Sequence, residues 1–89
     1  MGLKPRMSDR ARRFVGQVVY QMAARFPITQ DEAVGRVNQT WGHIDYIGDT
    51  DLIFHQSPDE WARDIYYGPD SRWWQGEDGL EPVPYEPDE

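Results

Sequence analysis

The stretch SPDEWARDIYYG, residues 57–68, constrains the fold more than any other part of this chain, because it carries the start and stop signals of one helix. Ser57 is a preferred N-cap, and Pro58 stands at the first helical position, where no amide hydrogen is needed. Glu60 completes a capping box, and Gly68 with Pro69 ends the segment. The sequence therefore predicts a third helix here, after two others upstream. Its inward face should hold Trp61, Ala62, Ile65 and Tyr66, and its outward face Arg63, Asp64 and Tyr67.

The first upstream helix is predicted from Ser8 to Arg25. Apolar residues recur in this segment at intervals of three and four, which is the spacing of an amphipathic helix. Pro27 forbids continuation, because its ring removes an amide donor and biases Phe26 away from helical angles. The helix should therefore end near Arg25.

The second helix is predicted from about residue 30 to residue 41. Thr29 and Glu32 have the spacing of a capping box, and Gly42 is a plausible stop. Gly35 lies inside this helix at a cost of about 1 kcal/mol relative to alanine, which indicates either close approach of another element or a weak turn. The buried stripe should be Ala33, Val34, Val37 and Trp41, with Arg36, Asn38 and Gln39 directed outward.

The remaining segments lack a helical period. Residues 43–56 suggest a loop followed by a short extended piece at Leu52–Phe54, and residues 77–89 are acidic and rich in proline. The predicted fold is mainly α: a three-helix small domain with a short extended segment and a disordered acidic C-terminal tail. We expect a basic N-terminal arm at residues 1–7, the helical domain at 8–76 and the tail at 77–89, where Val83 and Tyr85 are the side chains able to pack on the domain.

Size and composition restrict the class of protein. A chain of 89 residues has only a marginal core, but four Trp, five Tyr and three Phe supply large buried areas. With no cysteine, disulfides, thiolate catalysis and cysteine-bound zinc are excluded. No apolar run approaches the roughly 20 residues of a membrane span, so the sequence predicts a soluble cytoplasmic protein without a membrane partner.

Charge is distributed unevenly along the chain. Residues 1–30 have a net charge of +5 and residues 31–89 a net charge of −12. This asymmetry fits a basic arm that contacts nucleic acid or an acidic partner, an acidic tail that screens that arm, or two ends that are merely solvated. The residues that would contact nucleic acid are Arg6, Arg10, Arg12 and Arg13. The third helix contains one basic residue, Arg63, and three acids, so it is disfavoured as a recognition helix in a DNA groove.

Catalytic and metal chemistry find little support. Two histidines and three aspartates lie within thirteen residues, but their spacing matches no known ligand pattern. They are His43, Asp45, Asp49, Asp51 and His55. No nucleophile elbow or phosphate loop is present in the sequence. We therefore predict no catalytic residue, no metal ligand and no cofactor.

The segment DLIFHQSPDEWARDIYYG, residues 51–68, resembles one found in small bacterial proteins of unassigned function. They share an extended piece, a histidine, a proline and then a helix with Trp-Ala and Tyr-Tyr-Gly. The resemblance covers about a fifth of the chain. It implies a recurring small fold and transfers no site residues.

The expected role is that of a non-enzymatic interaction or regulatory protein that binds another protein or a second copy of itself. Surface Trp and Tyr side chains often carry binding energy. The candidate contact residues are Tyr66, Tyr67, Trp73 and Trp74, although either tryptophan could instead belong to the core. The alternative is a helix-turn-helix-like DNA-binding regulator that uses the basic arm.

Overall fold

Three helices form most of the structure, a computed structural model that describes residues 2–49 and 52–85. Helix α1 spans Asp9–Arg25, α2 spans Gln30–Trp41 and α3 spans Pro58–Tyr67. The predicted mainly α, three-helix fold is confirmed, and each helix ends where the proline or glycine signal placed its end.

The helix starts also follow the local signals. The Ser8 hydroxyl accepts the Ala11 amide at 3.2 Å, and the Thr29 hydroxyl accepts the Glu32 amide at 3.1 Å. The Glu32 carboxylate does not close a box at α2, because it accepts a hydrogen bond from the Arg36 side chain. At α3 the box is complete: the Ser57 hydroxyl accepts the Glu60 amide at 3.2 Å, and Glu60 Oε1 accepts the Ser57 amide at 3.0 Å.

The capping box of α3 makes stability depend on pH. The Ser57 backbone amide, and then its hydroxyl, lower the pKa of Glu60 below its ordinary value of 4.5. Since the folded pKa lies below the unfolded one, ionised Glu60 stabilises the fold above about pH 4.5, and this contribution is lost as pH falls through the folded pKa. We expect Glu60→Gln to melt below wild type at neutral pH, and the two melting temperatures to converge in acid. Glu81→Gln controls for the loss of one charge, and a Glu60→Gln difference that persists in acid would contradict the assignment.

The core lies between α1 and α3, and α2 closes its side. The face of α1 that points inward buries Ala11, Val15, Val18, Val19 and Met22. The stripe predicted for α2 is confirmed, since Ala33, Val34, Val37 and Trp41 are all buried. From α3, Ala62, Ile65 and Tyr66 are buried, while Trp61 is half-buried against the core.

The outward position predicted for Arg36 is wrong. Its side chain is buried, with 6 % of the residue exposed, because residues 83–85 cross α2 at this point. The guanidinium donates to Glu32 one turn earlier and to the Val83 carbonyl. A charged residue predicted to face solvent is thus enclosed by contacts from the end of the described chain.

A short parallel strand pair joins the N-terminal residues to the loop after α2. Strand β1, Arg6–Met7, lies beside β2, Tyr46–Ile47, with Arg6 opposite Tyr46 and Met7 opposite Ile47. Helices α1 and α2 form the crossover that parallel strands require. Upstream of β1, the Lys4 amide donates to the Asn38 side chain at 2.8 Å, and that side chain donates to the Gly2 carbonyl at 2.7 Å. Residues 2–7, predicted as an arm, are therefore attached to the helical domain.

The extended piece predicted at Leu52–Phe54 is wrong in place, because the extended segments are β1 and β2. Residues Leu52–His55 form a 3₁₀ turn. This turn buries Ile53, while the Ile53 carbonyl accepts a hydrogen bond from the Trp61 indole at 2.6 Å. Phe54 packs edge-on against Phe14, with ring centroids 5.0 Å apart. In a strand, consecutive side chains point to opposite faces, so only one of Ile53 and Phe54 would face the domain.

Between α3 and residue 85 the chain has one 3₁₀ turn, Trp73–Gln75, and residues 76–85 form no helix or strand. Lack of regular structure was predicted for this part. Val83 and Tyr85 nevertheless contact the domain, at Gly68 and Gly35. Residues 86–89 of the predicted disordered tail lie outside the described residues.

Candidate functional site

Tyr66 is the most deeply placed of the four predicted contact residues. Its ring stacks on Phe26 with centroids 3.7 Å apart, and only 7 % of the residue is exposed. The Arg36 guanidinium lies 4.9 Å from the centroid of the same ring. Tyr66 is therefore a core residue and not part of an exposed surface, because packing against α1 and α2 covers it.

Tyr67 lies at the border between core and solvent. Its ring meets Phe26 edge-on at 5.3 Å and is half-buried. Burial raises the pKa of the Tyr67 phenol, and a hydrogen bond with Glu77 raises it further. The phenol therefore stays protonated at neutral pH and joins α3 to the segment that follows Gly76.

Trp73 is held against α3 by a hydrogen bond from its indole nitrogen and by a cation over its ring. Its indole Nε1 donates to the Asp64 carboxylate, which also accepts from the Gln56 side chain at 2.9 Å. The Arg63 guanidinium lies 5.2 Å from the Trp73 ring centroid, within the range of a cation–π contact. These contacts make Trp73 half-buried and define its orientation.

Arg63 forms ion pairs with residues on both sides of Trp73 in the sequence. It donates to Asp59 at 2.6 Å, one turn earlier on α3, and to Glu77 at 3.1 Å, beyond the tryptophans. Asp59 also accepts from Arg25 of α1 at 2.6 Å. The predicted outward face of α3 thus holds a network of ion pairs, and its side chains serve to position the chain around Trp73.

Trp74 stands out from this support into solvent. It is 60 % exposed and meets Trp73 edge-on, with ring centroids 5.7 Å apart and planes at 83°. The preceding residue, Arg72, has a left-handed backbone with φ of 55°. Such a conformation is costly for a residue with a side chain and is most often found where the surrounding structure or a function requires it. Here it starts the 3₁₀ turn that displays Trp74.

The segment around Trp74 is acidic. Between residues 68 and 81 the sequence contains one basic residue, Arg72, and four acids. Asp70, Asp78 and Glu81 are exposed, while Glu77 is half-buried against Arg63. The charged residues near Trp74 in the sequence are therefore mainly acidic.

The four arginines proposed for nucleic acid lie at the opposite end of the sequence, in β1 and the first turns of α1. Arg6, Arg10, Arg12 and Arg13 are all exposed. Arg10 packs over the Phe54 ring at 4.3 Å and donates to the Asp49 carbonyl at 3.1 Å. It thus has a structural role as well, whereas Arg12 and Arg13 extend from the exposed face of α1.

The histidines and aspartates of residues 43–55 are spread along the loop that contains β2 and the first 3₁₀ turn. In the ranges 2–49 and 52–85, no three His, Asp or Glu side chains are grouped so that they could hold a metal ion. Asp51, which belonged to the sequence constellation, is outside those ranges. His55 lies edge-on to Trp61, with ring centroids 5.8 Å apart.

Comparisons with protein-family models, curated proteins and solved structures found no match to this chain. The similarity of residues 51–68 to small bacterial proteins stays a prediction. None of the helices in the described part of the chain is long and apolar enough to cross a membrane.

Sequence reasoning missed the contacts between Arg36 and residues 83–85. Two signals pointed towards them: an unexplained glycine at position 35 and isolated apolar residues in the acidic tail. The close approach considered for Gly35 is real, and the approaching side chain is Tyr85.

Proposed function

We propose that this protein is a non-enzymatic protein-interaction module whose contact centre is Trp74, supported by Trp73. The observation that carries the proposal is a large indole exposed on a support that polar contacts hold in place. Tryptophan is enriched among the residues that dominate binding energy. The proposed compartment is the cytoplasm, in keeping with a chain that uses no cysteine.

The contacts that hold Trp73 favour binding, because less order has to be acquired when a partner arrives. Trp73 is oriented by Asp64 and Arg63, and Arg63 is itself held by Asp59 and Glu77. Immobilising a flexible side chain at an interface costs about 0.5 to 1.5 kcal/mol, and a prearranged side chain avoids much of that loss.

The partner we propose is a basic segment of another protein. An arginine or lysine of that segment would lie over the Trp74 ring, and its neighbours would pair with exposed carboxylates such as Asp70 and Asp78. Charge complementarity of this kind speeds association and selects among partners. Duplex DNA is disfavoured at this surface by the same carboxylates.

The proposal predicts that Trp74→Ala removes a specific partner. Wild-type protein and the variant would be used to purify partners from a lysate of the producing cells, and the proteins recovered would be quantified by mass spectrometry. A partner that depends on Trp74 should then bind purified wild-type protein about tenfold or more tightly than it binds Trp74→Ala.

Tyr20→Ala is the matched control, because Tyr20 is 69 % exposed and lies on α1. The Tyr20→Ala variant should bind the same partner as wild type. Partners that survive Trp74→Ala but are lost with Tyr20→Ala would place the interface elsewhere. Salt-sensitive binding of mixed-sequence duplex DNA that Arg12→Ala and Arg13→Ala reduce would instead support the DNA-binding alternative.

A further inference from the structure

The backbone of residues 83–84 is bound by the helical domain through three hydrogen bonds. The Val83 amide donates to the Tyr66 carbonyl at 2.7 Å, and the Val83 carbonyl accepts from the Arg36 guanidinium at 2.7 Å. The Pro84 carbonyl accepts from the Gln39 side chain at 3.2 Å. Since Pro82 and Pro84 have no amide hydrogen, the single backbone donor between residues 82 and 84 has a partner.

Two glycines make room for the side chains of the same segment. A β-carbon at Gly68 would lie 3.1 Å from Val83 Cγ2, and one at Gly35 would lie 2.6 Å from the Cε1 and Cζ atoms of the Tyr85 ring. Real β-carbons do not show the second distance, so a side chain at position 35 would force the Tyr85 ring to move. We call the surface formed by Gly35, Arg36, Gln39, Tyr66 and Gly68 the tail site.

Arg36 is the central group of the tail site. Its guanidinium lies 4.9 Å from the Tyr66 ring centroid and 5.5 Å from that of Tyr85, so it is placed between two aromatic side chains. Among the described residues it is the one charged side chain that is buried. Besides its hydrogen bond to Glu32, the guanidinium donates a hydrogen bond to the Val83 carbonyl.

Residues 83–85 do not belong to the apolar core of the domain. The cluster of buried apolar side chains ends, along the sequence, at Tyr66, and the half-buried side chains packed on it end at Tyr67. Within the described chain, no residue after Tyr67 belongs to either set. The cluster of apolar side chains is therefore formed by residues up to Tyr67, and residues 83–85 lie on its outside, over Arg36.

We propose that the tail site is a peptide-recognition site for a partner segment of the type Val-Pro-Tyr, and that the chain's own residues 83–85 occupy it as a competing internal ligand. The two glycine contacts define a small branched side chain and, two residues later, an aromatic ring, and the three hydrogen bonds hold the backbone of Val83 and Pro84. This surface differs from that of Trp73 and Trp74, so the inference does not rest on the interaction proposed for Trp74.

Internal occupancy should weaken the binding of any external segment. A tethered ligand has an effective concentration that reaches the millimolar range for short linkers, and an external ligand binds only to the fraction of molecules whose site is open. The 89-residue protein with a disabled tail should therefore bind an external segment more tightly than wild type does.

The probe for this experiment is a fluorescently labelled peptide with the sequence of residues 80–89, and the measurement is the anisotropy of this peptide as the 89-residue protein is added. In the receptor variant, Val83→Asp and Tyr85→Ala disable the internal ligand but leave the tail site intact. We expect the peptide to bind this double variant about tenfold or more tightly than it binds wild type. A peptide carrying the same two substitutions should bind neither protein.

The matched pair Gly35→Ala and Gly16→Ala, each added to the double variant, tests the location of binding. Both glycines lie inside helices, but no atom lies within 4 Å of a β-carbon at Gly16. Gly35→Ala should weaken peptide binding about tenfold or more, and Gly16→Ala should leave it unchanged. Melting curves of each variant establish that it is folded.

Equal affinity of the peptide for wild type and the double variant would overturn the proposal, as would full binding by the Gly35→Ala variant. A wild-type dimer that the double variant converts to monomer would also overturn it, since the tail site would then hold the tail of a second copy.

Discussion

Replacement of Trp61 by alanine is expected to lower the free energy of unfolding by about 3 to 5 kcal/mol, as removal of a large packed aromatic side chain does in other cores. The Trp61 ring meets Trp41 of α2 edge-on, with centroids 5.1 Å apart. Its indole donates to the Ile53 carbonyl at 2.6 Å. The substitution therefore leaves a cavity between α2 and α3 and removes the donor that holds the 3₁₀ turn.

The matched control is Trp74→Ala, which removes the same atoms from a residue that is 60 % exposed. We expect it to change stability by no more than about 0.5 kcal/mol. Urea unfolding followed by far-ultraviolet circular dichroism measures both variants without relying on tryptophan emission. Equal unfolding midpoints for the two would show that Trp61 does not hold α3 to the core.

Arg36→Met is expected to lower the free energy of unfolding by about 2 kcal/mol. Methionine keeps much of the volume of the side chain but donates no hydrogen bond. The Val83 carbonyl would lose its donor, Glu32 would lose a bond of 2.9 Å, and the ring of Tyr85 would lose its cation. Hydrogen bonds to charged groups contribute about 1.5 to 3 kcal/mol each, of which methionine packing restores a part.

Arg13→Met is the control for loss of one positive charge, because Arg13 is exposed on α1. It should unfold within about 0.5 kcal/mol of wild type. Hydrogen exchange provides a second measurement: the Val83 amide, which donates to Tyr66, should exchange faster in Arg36→Met and at the wild-type rate in Arg13→Met. An unchanged Val83 exchange rate in Arg36→Met would contradict the role assigned to the guanidinium.

The helices could be predicted because their signals act over a few residues. Ser57 accepts the amide of Glu60 three positions later, and Gly68 has a φ of 96°, which a residue with a β-carbon rarely adopts. Caps, prolines and apolar spacing determine where a helix begins and ends before any distant contact forms. For the same reason, the 3.6-residue period identified the apolar stripe of α2, Ala33, Val34, Val37 and Trp41.

The candidate contact surface could be predicted only as a set of aromatic residues. Composition favours Trp and Tyr at interfaces but does not tell which ring faces solvent. Tyr66 is covered because Phe26, forty residues earlier, stacks on it, and Trp73 is held because Asp64 and Arg63 lie on the preceding helix. Trp74 is exposed, and the residues next to it in the sequence do not indicate this.

The sequence by itself determined three helices, their caps and the faces that meet in the core, because those features depend on neighbours within one or two helical turns. Only the tertiary structure decided that β1 pairs with β2 in parallel, that Leu52–His55 turns instead of extending, and that Arg36 is buried. Arg36 illustrates the reason: it lies on the polar side of α2, and the carbonyl that accepts its hydrogen bond comes from Val83, separated by 47 positions. No local period predicts such a partner, since the packing of all three helices is what places Val83 beside α2.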